Sequence, residues 1–172
     1  MSLKPQDVVI ALKLSLDGES KAYAQKASEL GMSASEVHAA EARLVEAKLL
    51  SPDKHSVLRK PLMDFLVYGV PHAFAVAPKE LTRGVPTAWS APVMSGEFKG
   101  NNELPPIWPD PVGTTQGLSV KPLYRNVPEV AQASRPFYDL LALVDALRIG
   151  RARERAFAEE KLRERIMNNG RD

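Results

Sequence analysis

Apolar residues recur at helical spacing near both ends of the chain and lose that spacing in its middle. Val8, Val9, Leu12 and Leu16 stand one to four apart and predict a helix over about 5–15, with Pro5 in its first turn. Asp17-Gly18 ends it. A second helix is expected from a cap at Ser20 to Leu30, and a tight turn at Gly31-Met32 leads into a third. Ser33 is the expected cap of the third helix, with Glu36 three residues later in capping-box register. Val37, Ala40, Leu44 and Ala47 form one stripe on it, facing the first two helices. Ser51-Pro52-Asp53-Lys54 then reads as a turn between Leu49-Leu50 and Ser56-Val57-Leu58, two short strands of a hairpin. Pro61 opens a fourth helix whose apolar face is Leu62, Phe65 and Leu66, closed by Gly69 and Pro71.

From 74 to 128 the periodicity disappears. Nine of the fourteen prolines fall there, with five glycines, which excludes long regular helices. The same window holds Trp89 and Trp108 with Phe74, Phe98, Ile107, Leu118, Val120, Leu123 and Tyr124, a composition too apolar for disorder. The expectation is an ordered, extended segment wrapping a helical core, with short strands at 74–76 and 118–120. Helical spacing returns over 134–167, where Phe137, Leu140, Leu141, Val144 and Leu147 make a strong stripe and Gly150 is placed to kink or split the helix. That stripe fits an intramolecular core and a dimer arm equally well. The expected fold is mainly α with small β elements, divided into 1–72 and 73–172.

Composition narrows the class. The 172 residues are 44% hydrophobic and 26% charged, enough for one sizeable core. Net charge is only +2, so the sequence pI near 8.9 is no argument for nucleic acid. The basic surplus sits mainly in 148–172, with eight Lys/Arg against five Asp/Glu. No cysteine is present, which excludes disulfides and thiolate metal sites. No apolar run approaches a membrane span and no signal peptide opens the chain, so a soluble, cytoplasmic protein without membrane contact is expected.

The run 23–50, YAQKASELGMSASEVHAAEARLVEAKLL, carries the most specific pattern. A small residue at Ala27 permits a close helix crossing, Gly31 permits positive φ in the turn, and Val37 points into the angle between the helices. Helix, turn glycine, capped helix and hairpin arrive in an order that resembles the winged helix-turn-helix transcriptional regulators, over about 4–60. The resemblance implies a third helix lying in the major groove of double-stranded DNA, and a homodimer reading a palindromic site. It implies a sequence-specific regulator, in one version an autoregulating, antitoxin-like repressor. Its outward face would be Ser33, Ala34, Ser35, His38, Ala39 and Ala42, with Arg43 on the same helix. Lys54, His55, Arg59 and Lys60 would lie on or near the wing. Arg151 and Arg155, spaced with Arg148 at three and four, offer additional phosphate contacts or simply a solvated face.

The chain departs from that pattern in one respect. The third helix carries Glu36, Glu41 and Glu46, and its outward positions hold no Arg, Asn or Gln, the types that dominate direct base readout. Either the wing and phosphate contacts carry binding, or the scaffold docks a partner protein without DNA. Arg83 and Asp110, on Pro/Gly-rich loops, would bind a ligand, pair together or serve the wrap. Catalysis has little support: His38, His55 and His72 form no metal signature, no cofactor motif is present, and Asp139 and Asp145 read as caps or surface pairs.

Overall fold

The computed structural model describes residues 2–17, 21–54, 56–98 and 102–168. It is mainly helical with a small three-stranded sheet. Helices α1 (Pro5–Asp17), α2 (Tyr23–Leu30) and α3 (Ala34–Glu46) form the N-terminal group, followed by α4 (Arg59–Tyr68) and the short α5 (Val70–Ala73). Strands β1 (Leu81–Pro86), β2 (Pro106–Pro109) and β3 (Thr115–Ser119) occupy the proline-rich window, with a 3-10 turn at Ala88–Ser90 and the short α6 (Pro92–Ser95) between β1 and β2. Helices α7 (Val127–Ala133), α8 (Arg135–Ile149) and α9 (Ala152–Asn168) complete the chain. The expected stop at Gly18 and cap at Ser20 lie outside the described residues, as does His55.

The centre of the molecule is α8. Ten of its residues are buried, on every side of the helix, against α1, α4, α5, α6, α7 and α9. A helix apolar all round belongs in a core. The 137–147 stripe is therefore consumed inside its own chain, and the dimer-arm reading of it fails. Gly150 does split the C-terminal helix: its ψ of 156° breaks the α path, and α9 folds back on α4 and α8 through Ala158, Leu162 and Ile166. One hydrophobic cluster runs from Val8 to Ile166, across the expected boundary at 72/73.

The described residues of the proline-rich window pack on the helices, but its strands lie elsewhere than expected. Phe74 closes α5 in a turn and residues 75–76 belong to no helix or strand, while β1 begins at Leu81. The 118–120 expectation overlaps the end of β3. β1 runs antiparallel to both β2 and β3, and β2 pairs in parallel with β3, so three short strands close on themselves. So tight a closure needs a residue without Cβ where backbones meet: a methyl group on Gly84 would overlap the carbonyl of Trp108. Trp108 is buried and donates through Nε1 to Asp145 on α8 at 2.6 Å. Asp145 also accepts from Thr87 Oγ1 at 2.8 Å and from Arg148 at 2.9 Å. The Asp145–Arg148 pair, expected on a helix surface, is a buried clamp tying the sheet to α8. Tyr138 adds a bond to the Pro86 carbonyl at 2.5 Å, and burial pushes its phenol up to about 12.

Candidate nucleic-acid interface

The α2–turn–α3 unit is assembled as its residue types require. Gly31 takes φ 65°, the left-handed conformation available to glycine, and its N–H donates to Ser28 while Met32 donates to Ala27. Ser33 caps α3 with a complete capping box: its hydroxyl accepts from Glu36 N–H at 3.1 Å, and Glu36 accepts from Ser33 N–H at 2.8 Å. That backbone bond holds the Glu36 carboxyl below its ordinary range. Val37, Ala40 and Leu44 are fully buried; Ala47, expected in the same stripe, is exposed because the helix has already ended. Lys26 and Glu41 join α2 to α3 by a buried 2.6 Å ion pair, with the ammonium over the Tyr23 ring.

The outer surface of α3 is open. Ser33, Ala34, Ser35, His38 and Ala39 are exposed and Ala42 is half-buried. Ser33 and Ser35 share a 3.2 Å hydroxyl contact, and the His38 ring stands edge-on against Tyr23 at 5.2 Å. The window 74–128 touches this unit at the turn: Asn126 Nδ2 donates to the Gly31 carbonyl at 2.6 Å, and the Tyr124 hydroxyl lies 3.4 Å from Glu36. It does not cover the outer face, so the version of the docking reading in which the wrap sits on α3 is not what the fold does.

The remaining expected contacts scatter. Arg43 points inward and makes two 2.8 Å bonds to buried Asp7 of α1, so it is a core ion pair and not part of the outer face. Its position one turn behind Ala40 puts it on the apolar side of α3. The hairpin is smaller than two strands: a single Leu50–Val57 bridge is flanked by bonds from Ser51 N–H to Ser56 and from Leu58 N–H to Leu49. The chain turns at Pro52, with Lys54 N–H donating to the Ser51 carbonyl, and α4 starts two residues after Val57. Lys54 sits in that turn at φ 63°, half-buried. Arg59 is turned to the interior, donating to the carbonyls of Ile166 and Ser15, and burial pushes its guanidinium below its ordinary range. Lys60 is exposed and paired with Asp64 at 3.0 Å. The arginine face does not exist as a face: Arg148 is buried in α8, Arg151 precedes α9 and pairs with Glu103, and Arg155 is exposed on α9, because the break at Gly150 cancels the three-and-four spacing. Arg83 and Asp110 do not join side chains; Asp110 N–H donates to the Arg83 carbonyl and its carboxylate accepts from Val112 N–H.

One exposed cation beside α3 escaped the sequence reading. Arg125 lies over the Tyr124 ring at 5.0 Å and near enough to Glu36 to lower its pKa. Its place is set by the Asn126–Gly31 bond between residues 95 apart, a contact with no local signal in the sequence. Among the described residues no group of three or more His, Asp or Glu could hold a metal ion, and no helix is long and apolar enough to cross a membrane. No family model matches the chain, and no curated protein or solved structure matches it either.

Proposed function

We propose that the protein is a DNA-binding regulator, not an enzyme, that reads duplex DNA with the N-terminal half of α3. The observation that carries this reading is the open outer face of a correctly turned and capped α3, with Ser33, Ser35 and His38 exposed on it and Arg125 beside its first turn. Serine hydroxyls and helix N-terminal amides suit phosphates, and His38 is the long polar side chain able to reach a base edge. The contact set differs from the one the resemblance implies. Arg43 and Arg59 are spent inside the fold, and Arg125 takes the phosphate role instead. A homodimer on a palindromic site would need a contact other than the 137–147 stripe.

A mobility-shift titration of the full chain against duplex DNA from upstream of its own gene tests this. Binding is expected at low salt and is expected to weaken as salt rises. Arg125→Ala should lower the slope of log affinity against log salt by about one. His38→Ala should relax sequence preference with a smaller change in slope. Absence of any shift at low salt would overturn the proposal.

A further inference from the structure

Beside the α3 unit, two stretches of chain leave the small sheet and diverge. Lys79 N–H still pairs with the Ser119 carbonyl, and Ser119 N–H with Glu80. On the N-terminal side of that pairing lie Ala77, Val76 and Ala75, outside any helix or strand; on the other side the chain runs from Val120 through Lys121 to Arg125. Between them lies an open cleft of about 960 Å³, lined as well by Gln6 of α1 and by Arg148. The main-chain N–H and C=O groups of Ala75, Val76 and Ala77 make no hydrogen bond among the described residues, nor do the N–H groups of Lys121 and Leu123. Phe74 and Val76 are half-buried and alternate with exposed Ala75 and Ala77, the period of a strand with one face on the protein.

The charge of the cleft is one-sided. Lys79 and Lys121 line it and have no ion-pair partner among the described residues; Glu80 is the opposing charge, and Arg125, also in the lining, faces Glu36 of α3. Arg148 is committed to Asp145 and to the Phe74 and Lys121 carbonyls.

We infer that this cleft is a docking site for an acidic, extended peptide segment of a partner protein. The peptide would lie as an added strand along Ala75–Ala77, its carboxylates toward Lys79 and Lys121. Unpaired main-chain edges give affinity without sequence demand, and alternate side chains give selectivity. A nucleic-acid strand would satisfy the cations but not the edge amides. The site is separate from the outer face of α3, so a DNA-bound protein would be able to hold a partner as well.

The probe is a synthetic capped peptide of alternating Glu and Val, about eight residues long, enough at strand rise to span Ala75–Ala77 with residues to spare at each end. Titrated into the ¹⁵N-labelled full chain, it should shift the amides of Ala75, Val76, Ala77, Lys121 and Leu123 saturably. The same peptide N-methylated at alternate residues should bind about tenfold or more weakly, since several main-chain bonds are blocked. The pair Lys79→Glu and Lys121→Glu, with folding checked by circular dichroism, should weaken the peptide by a similar factor and leave DNA binding through Arg125 and α3 in place. No shifts at millimolar peptide, or equal binding of the N-methylated form, overturns the inference. So does an oligothymidylate that shifts the same edge amides as strongly as the peptide, because the cleft would then belong to nucleic acid.

Discussion

Arg43 shows how a single residue changes meaning with direction. As a basic side chain on α3 it suits DNA, but both of its bonds go to Asp7, and Asp7 is fully buried with its second partner in the Lys4 amide. Removing one member of such a pair leaves a charge in the core and costs about 3–5 kcal/mol, whereas replacing both by apolar groups is often close to neutral. Arg43→Met is therefore expected to lower the urea midpoint strongly, and Asp7→Leu combined with Arg43→Met to restore most of it. Glu36 makes the converse case, a surface carboxylate doing structural duty. Its folded pKa is lowered, first by the Ser33 amide bond. A depressed carboxyl contributes stability that is fully present above its unfolded pKa of about 4.3 and is lost as pH falls through the folded value. Glu36→Gln keeps a reach-back oxygen and removes the titration. The stability difference between the two proteins should thus be constant near neutrality and shrink below about pH 4, as read from chemical denaturation at stepped pH.

At the scale of elements, closure of the three strands rests on Gly84. A methyl group there meets a backbone carbonyl, which cannot rotate away as a side chain could. Gly84→Ala is expected to cost about 1–3 kcal/mol and to loosen Trp108, so near-ultraviolet circular dichroism should report the change before far-ultraviolet does. The elements legible in the sequence were those specified by neighbours along the chain. Gly31, Ser33 and Glu36 define the turn and cap within six residues, and the spacing of Val37, Ala40 and Leu44 gives the buried side of α3. The split at Gly150 is legible for the same reason. The strands were not. β1 is fixed by partners 21 to 37 residues away and by a close backbone approach, so 74–76, more apolar than Leu81–Pro86, reads as the better strand while being the unpaired one. α7 was missed because Pro128, which reads as a breaker, sits in its first turn, where proline is tolerated. The candidate site divides along the same line: Ser33, Ser35 and His38 follow from helical phase, whereas Arg125 depends on a long-range bond.

For the molecule as a whole, the question is whether 1–72 is a unit. A freestanding DNA-reading head would keep its apolar surface to itself. Here α1 packs on α8, α4 packs on α8 and α9, and Leu62, Met63 and Leu66 are fully buried. Arg59 is bonded across to the Ile166 carbonyl. Cutting after residue 72 would expose the side of α1 and α4 that α8 now covers, in a fragment of a size that is marginal even with its core intact. A chain of residues 1–72 is therefore expected to show residual helix but no cooperative thermal transition and a poorly dispersed amide spectrum. The full chain should unfold in one transition, with the fluorescence of Trp89 and Trp108 and helical ellipticity changing together, because the clamp of Trp108, Asp145 and Arg148 fastens the sheet to the same helix that supports α1. Two separated transitions, or a well-folded 1–72 fragment, would show that the N-terminal helices need α8 less than their buried surface suggests. If the single transition is found, duplex DNA bound at α3 should raise its midpoint for both probes equally, since a ligand that binds only the native state stabilises whatever unfolds with its site.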